Sequence, residues 1–362
     1  MRRSARLGVL VALLLLASTA AQVGHLSASS QALETSSVFI AKGLTALSWD
    51  GKQFISSYGI TNVPLVTVSL DGKTVKPFAP SFVGKDEVYV AISEGKAGFP
   101  AGYLYVNFDP SIYVIKPDGS SVQLFSSPQG AQRISYVAFD TVGSWGNALL
   151  ALDDNGLLWS IDSAGAAKVL DNFSNFGKGA TLKPEGIAVA PMSFGALGGY
   201  LFITLEGAHR ILAIPPNNAS KVMTLFQFDA EQPERVIQIP PQSDLYAAEF
   251  DTGNMLRVPA ANFSNYVGSL LVITEGEVEP FGSFNVLQPA GNNVTLTRIG
   301  MVAASPHFEA AAWVPTAASA GNLTSISGGG IATPVLAGGA ALLVAVVVLA
   351  VFLVSRRGRR ST

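Results

Sequence analysis

The stretch that decides the fold is Pro184–Pro215, PEGIAVAPMSFGALGGYLFITLEGAHRILAIP. It contains three short runs of apolar or alternating residues, at 186–190, 200–205 and 210–214, separated by residues typical of turns. Runs of this length between Gly and Pro clusters indicate β-strands, because a helix needs a longer periodic segment. The stretch therefore predicts three strands of a small β-sheet.

The same pattern recurs about every 45 to 50 residues along the chain. Its copies begin near Gly43, Glu87, Ile134, Pro184, Pro233 and, less regularly, Gly268. Four short strands per repeat predict a β-propeller with one repeat per blade, because a single blade exposes both faces and must pack between neighbours. We expect an all-β propeller of six four-stranded blades, with five or seven as alternatives. The final phrase, His307–Pro315, resembles an opening strand, and we expect it to pair with the first blade and close the ring.

The composition fits a turn-rich β-protein and argues against one class of partner. The chain has 362 residues, of which 36 are Gly and 20 are Pro, and 13% are charged. Its 23 Lys and Arg residues nearly balance 25 Asp and Glu residues, for a formal net charge of −2. Nucleic acid is therefore not an expected partner, because no basic stripe is present to displace counterions from phosphates.

The N-terminal segment 1–21 has the parts of a secretory signal peptide. Three arginines precede an apolar core, and small residues at the end provide a cleavage site. We expect this segment to be removed on export, with an uncleaved anchor as the alternative. Residues 22–42 then form a Ser-rich, extended leader before the propeller domain at 43–315.

The C-terminal segment reads as a membrane anchor. A Gly/Ser/Thr-rich stalk is predicted at 316–334, a transmembrane helix at Val335–Val354 and a basic tail at 355–362. Arginines hold their end of such a helix in the cytoplasm, so the N-terminal domain is expected outside the cell. The alternatives are a buried core helix and a sorting signal that is removed.

An exported chain without cysteine favours a prokaryotic surface, archaeal or bacterial, because animal ectodomains usually contain disulfides. The lack of cysteine also excludes thiol catalysis and thiolate metal sites. Five Asn-x-Ser/Thr sequons are candidate N-glycosylation sites: Asn172, Asn218, Asn262, Asn293 and Asn322.

The opening stretch resembles the NHL repeat, whose pattern runs P-x-G-I-A-V, G-x-L-Y-V and N-H-R-I. The matching residues are Pro184, Gly186, Ile187, Ala188, Val189, Gly199, Leu201, Phe202, Ile203, His209, Arg210 and Ile211. Ala208 replaces the usual Asn, and Ala190 stands where an Asp is common. The resemblance implies a six-bladed propeller similar to the gluconolactonase-like and streptogramin-lyase-like groups and to purely binding members. It therefore implies a fold and leaves the function open.

Acidic residues recur at the starts of the predicted innermost strands, at Glu87, Glu185, Glu234 and Glu309. Equivalent positions of successive blades converge at one mouth of a propeller's central channel. Carboxylates gathered there repel one another unless a cation lies among them, and oxygen ligands favour Ca²⁺. The resemblance to gluconolactonases implies a catalytic metal at such a site. The alternative is that these glutamates bond the backbone of neighbouring blades or lie on a solvated rim.

Other polar motifs are weaker candidates. A Glu-Gly pair follows the second predicted strand at Glu94, Glu206 and Glu275, and we interpret it as turn chemistry. His209 falls on a repeat position, which favours a structural role, whereas His307 is a candidate ligand-binding residue because it lies close to Glu309. The motifs of serine hydrolases, zincins and P-loop NTPases are missing from the sequence.

These observations favour a non-enzymatic, membrane-anchored surface propeller that binds an envelope protein, a glycan or a small ligand. The alternative is a calcium-dependent lactonase, another hydrolase or a lyase of the gluconolactonase-like type, with its site at the channel mouth.

Overall fold

The structure is a computed structural model. It describes residues 26–28, 33, 35–40, 43–59, 61–177, 182–276, 281–291, 293–303 and 307–317. The predicted signal peptide, the stalk from residue 318 onward, the transmembrane helix and the basic tail lie outside this set and stay predictions. Within it, no helix has the length and apolar character needed to cross a membrane.

The described residues form 25 strands arranged in six sheets, each of which is one blade. The first two strands, β1 (Leu26–Ala28) and β2 (Ser36–Phe39), come from the predicted leader and lie at the outer edges of two different blades. The ring of blades thus draws on residues that precede the predicted domain boundary at residue 43. The prediction of six blades is confirmed.

Blades 1 to 4 each consist of four consecutive antiparallel strands, and the first strand of each lies innermost. Blade 1 contains β3 (Leu44–Trp49), β4 (Phe54–Tyr58), β5 (Val63–Val68) and β6 (Val75–Gly84). Blade 2 contains β7 (Val90–Ile92), β8 (Leu104–Phe108), β9 (Ser111–Ile115) and β10 (Val122–Ser126). Blade 3 contains β11 (Ile134–Phe139), β12 (Leu149–Asp153), β13 (Leu157–Ile161) and β14 (Ala167–Asn172). Blade 4 contains β15 (Pro184–Val189), β16 (Leu201–Leu205), β17 (Arg210–Ile214) and β18 (Met223–Gln227).

Blades 5 and 6 exchange strands. Blade 5 contains β19 (Gln232–Gln238), β22 (Leu270–Glu275), β23 (Phe281–Ala290) and β24 (Asn293–Ala303), and β1 pairs in parallel with β24. Blade 6 contains β25 (Phe308–Pro315), β20 (Ser243–Glu249) and β21 (Asn254–Val258), with β2 at its outer edge. The chain therefore leaves blade 5 after one strand, builds the middle of blade 6, and returns.

This exchange differs from the repeat assignment made from the sequence. The fifth repeat was expected to continue from β19 into β20 and β21, but β19 pairs with β22 instead. The closing phrase at 308–315 forms the innermost strand of blade 6, where it pairs with β20 and packs against β3 of blade 1 without joining that sheet. It closes the ring, but the expectation of pairing with the first blade is wrong.

The core lies between the blades. Each of the six hydrophobic clusters joins two neighbouring blades, including the pair formed by blades 6 and 1. Long loops after the innermost strands add a buried aromatic residue at three places, Phe99, Trp145 and Phe194, and the connection from β21 to β22 adds Phe263. Among the described residues, three 3-10 helices lie in connections: Ser174–Gly177, Gly195–Leu197 and Ala260–Tyr266.

Close contact between innermost strands requires a residue without a side chain at Gly186. A Cβ at this position would lie 2.6 Å from Thr204 Oγ1 and 2.8 Å from the backbone nitrogen of Val236 in β19. Those distances are too short for real contacts, so the glycine of the repeat motif allows blades 4 and 5 to approach each other.

Candidate functional site

The candidate site lies at the end of the central channel where innermost strands begin and their partner strands end. Six glutamates gather there, and we call them the mouth cluster: Glu87, Glu185, Glu206, Glu234, Glu275 and Glu309. Five are buried and Glu87 is half-buried. The structure thus brings together all four glutamates predicted from the strand starts and adds Glu206 and Glu275.

Tyr89 links the first two members of this cluster across the channel. Its hydroxyl lies 3.2 Å from Glu87 Oε2 and 3.0 Å from Glu185 Oε2. Because one hydroxyl donates one hydrogen, the second short contact is best satisfied when a carboxyl group itself carries a proton. Blades 2 and 4 are therefore connected through a shared-proton arrangement.

A buried cation, Arg235, occupies the channel beneath the cluster. Its guanidinium donates hydrogen bonds to the backbone carbonyls of Glu185 and Glu309, and Nη1 lies 2.9 Å from Glu234 Oε1. Its side chain is 3% exposed. Below it, a space of about 30 Å³ is enclosed by residues of the innermost strands. Arg235 thus separates the mouth from the interior of the channel.

His307 is the second cation of the site. Its Nε2 lies 2.9 Å from Glu275 Oε2 and 2.6 Å from Glu309 Oε1, and its ring packs on Phe250. Burial opposes a charge on this ring, but the hydrogen bonds with the two carboxylates outweigh burial and raise the pKa of His307 to about 11. The candidate ligand-binding residue predicted from sequence therefore lies inside the acidic site as an imidazolium.

Burial holds protons on several of the glutamates. It raises the pKa of Glu87 to about 7, with the charge of Glu309 adding to the effect and Arg133 opposing it. Burial likewise raises the pKa of Glu275 to about 7 against the hydrogen bond from His307. For Glu185 and Glu234, burial raises the pKa well above the usual range. The site near neutral pH therefore stores protons that a metal cation could displace.

A cavity of about 430 Å³ opens beside the cluster, over blades 2 to 4. Glu87, Glu185 and Glu206 form its acidic wall, and Arg133 and Lys183 also line it. Both cations make ion pairs: Arg133 Nε lies 2.7 Å from Asp154 Oδ2, and Lys183 Nζ lies 2.9 Å from Glu206 Oε1. A small ligand in this cavity would touch both charge types.

Two overlapping sets of side chains could hold a metal ion. Glu206, Glu234 and Glu275 each offer a carboxylate oxygen, and these oxygens lie within 4.8 Å of one another. Glu275 also belongs to a second set with His307 and Glu309, but the imidazolium has no free lone pair and would have to lose a proton before it could bind a metal ion. Glu275 Oε1 is buried and has no hydrogen-bond partner, so the residues present fit a cation. The first set contains oxygen ligands alone, which suits Ca²⁺ or Mg²⁺.

Sequence reasoning missed several residues of the site, among them Glu206, Glu275 and Arg235. The Glu-Gly pairs at Glu206 and Glu275 bring their carboxylates to the mouth cluster, while Glu94 is exposed and pairs with Lys96 on the surface. One feature could have identified these two glutamates. Glu206 directly follows the second strand of blade 4, Glu275 is the last residue of the second strand of blade 5, and both strands are fully buried. Arg235 carried a signal as well, because it is an arginine directly after the repeat-position Glu234 in an innermost strand.

The remaining predicted residues lie elsewhere. His209 has its ring nitrogen Nδ1 3.1 Å from the backbone carbonyl of Glu231, which agrees with a structural role. Among the sequons, Asn172 and Asn218 are exposed, Asn262 and Asn293 are half-buried, and Asn322 lies outside the described residues.

The architecture has counterparts among solved structures. No protein-family model and no curated protein matches the chain. Among solved structures, a nidogen/laminin complex matches with a TM-score of 0.51 and 15% identity, covering 75% of this chain and 85% of that chain. The chain is a six-bladed β-propeller. Its neighbours also include a gluconolactonase from Xanthomonas campestris, with a TM-score of 0.47 and 10% identity, covering 76% and 81% of the two chains. An inactive virginiamycin B lyase from Staphylococcus aureus has a TM-score of 0.40 and 15% identity over 60% and 65%. The predicted resemblance is thus confirmed for the fold, and such low identities say nothing about activity.

Proposed function

We propose that this protein is a ligand-binding propeller in which a divalent cation at the channel mouth helps to hold a small ligand in the adjoining cavity. The observation that carries the proposal is the buried Glu275, whose Oε1 has no hydrogen-bond partner although it belongs to a group of three converging carboxylates. An unpaired buried oxygen costs free energy that a bound cation would recover.

Charge balance supports a cation at this place. The mouth cluster has six carboxyl groups, and Arg235 and His307 supply two positive charges among them. Protons on the glutamates with raised pKa values make up the difference. A hard dication can replace such protons, because carboxylate oxygens are its preferred ligands.

The cavity gives the bound cation access to a ligand. Glu206 is shared by the cavity wall and the carboxylate set, so the cavity reaches the proposed metal site. Glycan and protein partners remain outcomes of binding experiments. We also propose that the propeller acts outside the cell on a membrane anchor. The apolar segment 335–354 followed by arginines, and the signal-like segment 1–21, support this location.

One observation favours the enzymatic alternative, a metal-dependent hydrolase or lyase. Glu87 lines the cavity, and its pKa of about 7 suits proton transfer near neutral pH. A lactone bound beside the cation would then meet both an electrophile and an acid–base group. Turnover of simple lactones by the wild-type protein and its loss in Glu87→Gln would support this alternative.

The test is calcium binding by the chain beginning at residue 22 and ending at residue 317. We expect Ca²⁺ at a hundredfold excess over its Kd to stabilise the fold by about 2.7 kcal/mol, measured by thermal unfolding against a chelator control. Glu275→Gln and Glu234→Gln should each weaken calcium affinity at least tenfold, because each removes a charged oxygen ligand.

Glu94→Gln is the matched control, since Glu94 has the same Glu-Gly context and its side chain is 53% exposed. It should bind Ca²⁺ like the wild type. Equal calcium affinity of Glu275→Gln and Glu94→Gln would show that the mouth cluster is not the cation site and would overturn the proposal.

A further inference from the structure

The cavity of about 430 Å³ beside the mouth cluster has an excess of acidic groups. Five carboxyl groups line it, against the two cations Arg133 and Lys183. Both cations are already paired, because Arg133 binds Asp86 and Asp154, and Lys183 binds Glu206. The unbalanced charge that a ligand meets in this cavity is therefore negative, which favours a positive group on the ligand.

Glu87 and Glu185 are the two carboxyl groups of the cavity that lack a close cationic partner. Their ion-pair contacts are long, since Arg133 Nη2 lies 4.0 Å from Glu87 Oε2 and Arg235 Nη1 lies 4.0 Å from Glu185 Oε2. Even when this pair holds protons, the other lining carboxylates outnumber the lining cations by three to two. The excess of negative charge thus persists in either protonation state of the pair.

One oxygen atom of Glu185 identifies where a ligand would bind. The side chain of Glu185 is 4% exposed and lines the cavity. Its Oε2 lies 3.0 Å from the Tyr89 hydroxyl, whereas its Oε1 makes no hydrogen bond with any residue that the structure describes. Leaving such a deeply buried oxygen without a partner costs free energy, and a hydrogen-bond donor of a ligand would recover it.

We propose that the ligand of this cavity is an amino alcohol, whose ammonium group binds Glu185 and Glu87 and whose hydroxyl oxygen binds the cation at the mouth cluster. The ammonium supplies the positive charge and the donors that this wall lacks, and a proton held by the two glutamates leaves to solvent.

The hydroxyl part of the inference rests on the proposed function. Ca²⁺ takes about six to eight oxygen ligands, so the set of Glu206, Glu234 and Glu275 leaves positions open for oxygen atoms of a ligand. Glu206 belongs to the cavity wall as well as to this set, so one ligand can reach both. Glu87 and Glu185 lie outside the set, and the ammonium therefore uses different carboxylates from the metal ion.

The experiment compares glucosamine, glucose and cyclohexylamine as probes of the chain 22–317, by calorimetry in Ca²⁺ and in chelator. The three share a six-membered ring, but glucose lacks the ammonium group and cyclohexylamine lacks the hydroxyls. In Ca²⁺, glucosamine should bind about tenfold more tightly than either, because hydrogen bonds to charged groups and oxygen ligation both contribute. In chelator, the two amines should bind alike, and both more tightly than glucose.

Glu185→Gln should remove most of the advantage of glucosamine over glucose and leave glucose binding unchanged. Glutamine has the shape of the protonated carboxyl group, and the unfolding midpoint in chelator shows whether the variant folds. Glu87→Gln is a second variant with the same expected effect. Glu94→Gln is the matched control, because Glu94 is exposed and does not line the cavity, and it should bind all three probes like the wild type.

The outcomes separate this inference from the proposed function. Calcium binding together with equal affinities for glucosamine and glucose overturns the ammonium site and leaves the cation site standing. Equal affinities for glucosamine and cyclohexylamine in Ca²⁺ overturn the hydroxyl contact with the cation. Absence of calcium binding, with both amines still preferred over glucose, overturns the proposed function and leaves the ammonium site standing.

Discussion

The guanidinium carbon of Arg235 lies 4.2 Å from the ring centroid of Tyr89, so a buried cation of blade 5 stacks on an aromatic ring of blade 2 across the channel. The same guanidinium lies 5.1 Å from the ring centroid of Tyr136 in blade 3 and bonds to backbone carbonyls in blades 4 and 6. One side chain of blade 5 thereby contacts four other blades. It also neutralises carboxylates that would otherwise repel one another at the mouth.

We therefore expect Arg235→Met to destabilise the protein strongly, by about 3 to 5 kcal/mol, because it leaves buried carboxyl and carbonyl oxygens without their cation. Arg235→Lys should recover little of this, since a single ammonium cannot reach two carbonyls and stack on a ring. Urea unfolding of the variants measures the change in the free energy of unfolding.

Two comparisons sharpen that experiment. Arg210→Met changes a half-buried arginine whose Nε donates a hydrogen bond to the backbone carbonyl of Ala208. It should lower the free energy of unfolding by well under half as much as Arg235→Met. Adding Glu234→Gln to Arg235→Met should restore part of the stability, because it removes a stranded carboxylate. A cost below 1 kcal/mol for Arg235→Met would contradict the central role assigned to this residue.

Most of the fold could be predicted from the sequence, because in blades 1 to 4 the four strands of a blade follow one another along the chain. In blade 4 the strands predicted at 186–190, 200–205 and 210–214 differ from those found by at most two residues at either end. The exchange between blades 5 and 6 was not predictable in this way. β20 and β22 are both fully buried strands, and the choice of β22 over β20 as partner of β19 depends on packing between distant segments.

The site residues that occupy the same position in successive repeats could be predicted from the sequence. Glu185, Glu234 and Glu309 occupy equivalent places in innermost strands, and ring symmetry alone brings them together. Glu206 was interpreted as a turn residue because a Glu-Gly pair after a strand is ordinary turn chemistry. Its burial depends on Gln232 and Lys183, which hydrogen-bond its carboxylate from other segments, and local sequence does not encode such contacts.

Protonation of Glu87 makes the metal-free protein more stable in mild acid. Its pKa is about 7 in the folded protein against 4.5 ordinarily, so between these pH values the folded state binds more protons than the unfolded state. Stability should consequently fall as pH rises from about 4.5 to 7, by at most about 3 kcal/mol for this group. Glu275 acts in the same sense.

Unfolding in urea with a chelator, at intervals from pH 4.5 to 8, tests this dependence. Glu87→Gln should flatten part of the curve, because glutamine does not titrate. His307 extends the decline above pH 6.5, since its pKa of about 11 likewise means that the folded state holds a proton that the unfolded state has lost. Stability that rises between pH 5 and 7 would show that the glutamates are ionised in the folded state.

Calcium binding should release protons. The pKa of Glu275 is about 7, and a cation bound to its carboxylate displaces the proton. Affinity should therefore rise by up to about tenfold per pH unit below pH 7, where Glu275 is protonated. Calorimetry at one pH in buffers of different ionisation enthalpy counts the protons. The Glu94→Gln control should release the same number of protons as the wild type. A binding enthalpy that does not depend on the buffer would exclude proton displacement.

Ring closure depends on β25 because it is the innermost strand of blade 6 and is joined to the ring from both sides. Phe308 at its start is fully buried and packs on Phe284 of blade 5, and Val314 near its end belongs to the cluster shared with blade 1. Ending the chain at residue 303 removes β25. Both clusters then become exposed, and β20 loses its partner on the inner side of blade 6.

We expect the chain 22–303 to lose cooperative thermal unfolding and to bind a hydrophobic dye, whereas the chain 22–317 should unfold in one sharp transition. A synthetic peptide of residues 307–317 added to the shorter chain should restore part of the transition, because it supplies the missing strand. Cooperative unfolding of the chain 22–303 by itself would mean that five blades and part of a sixth are sufficient to close the ring.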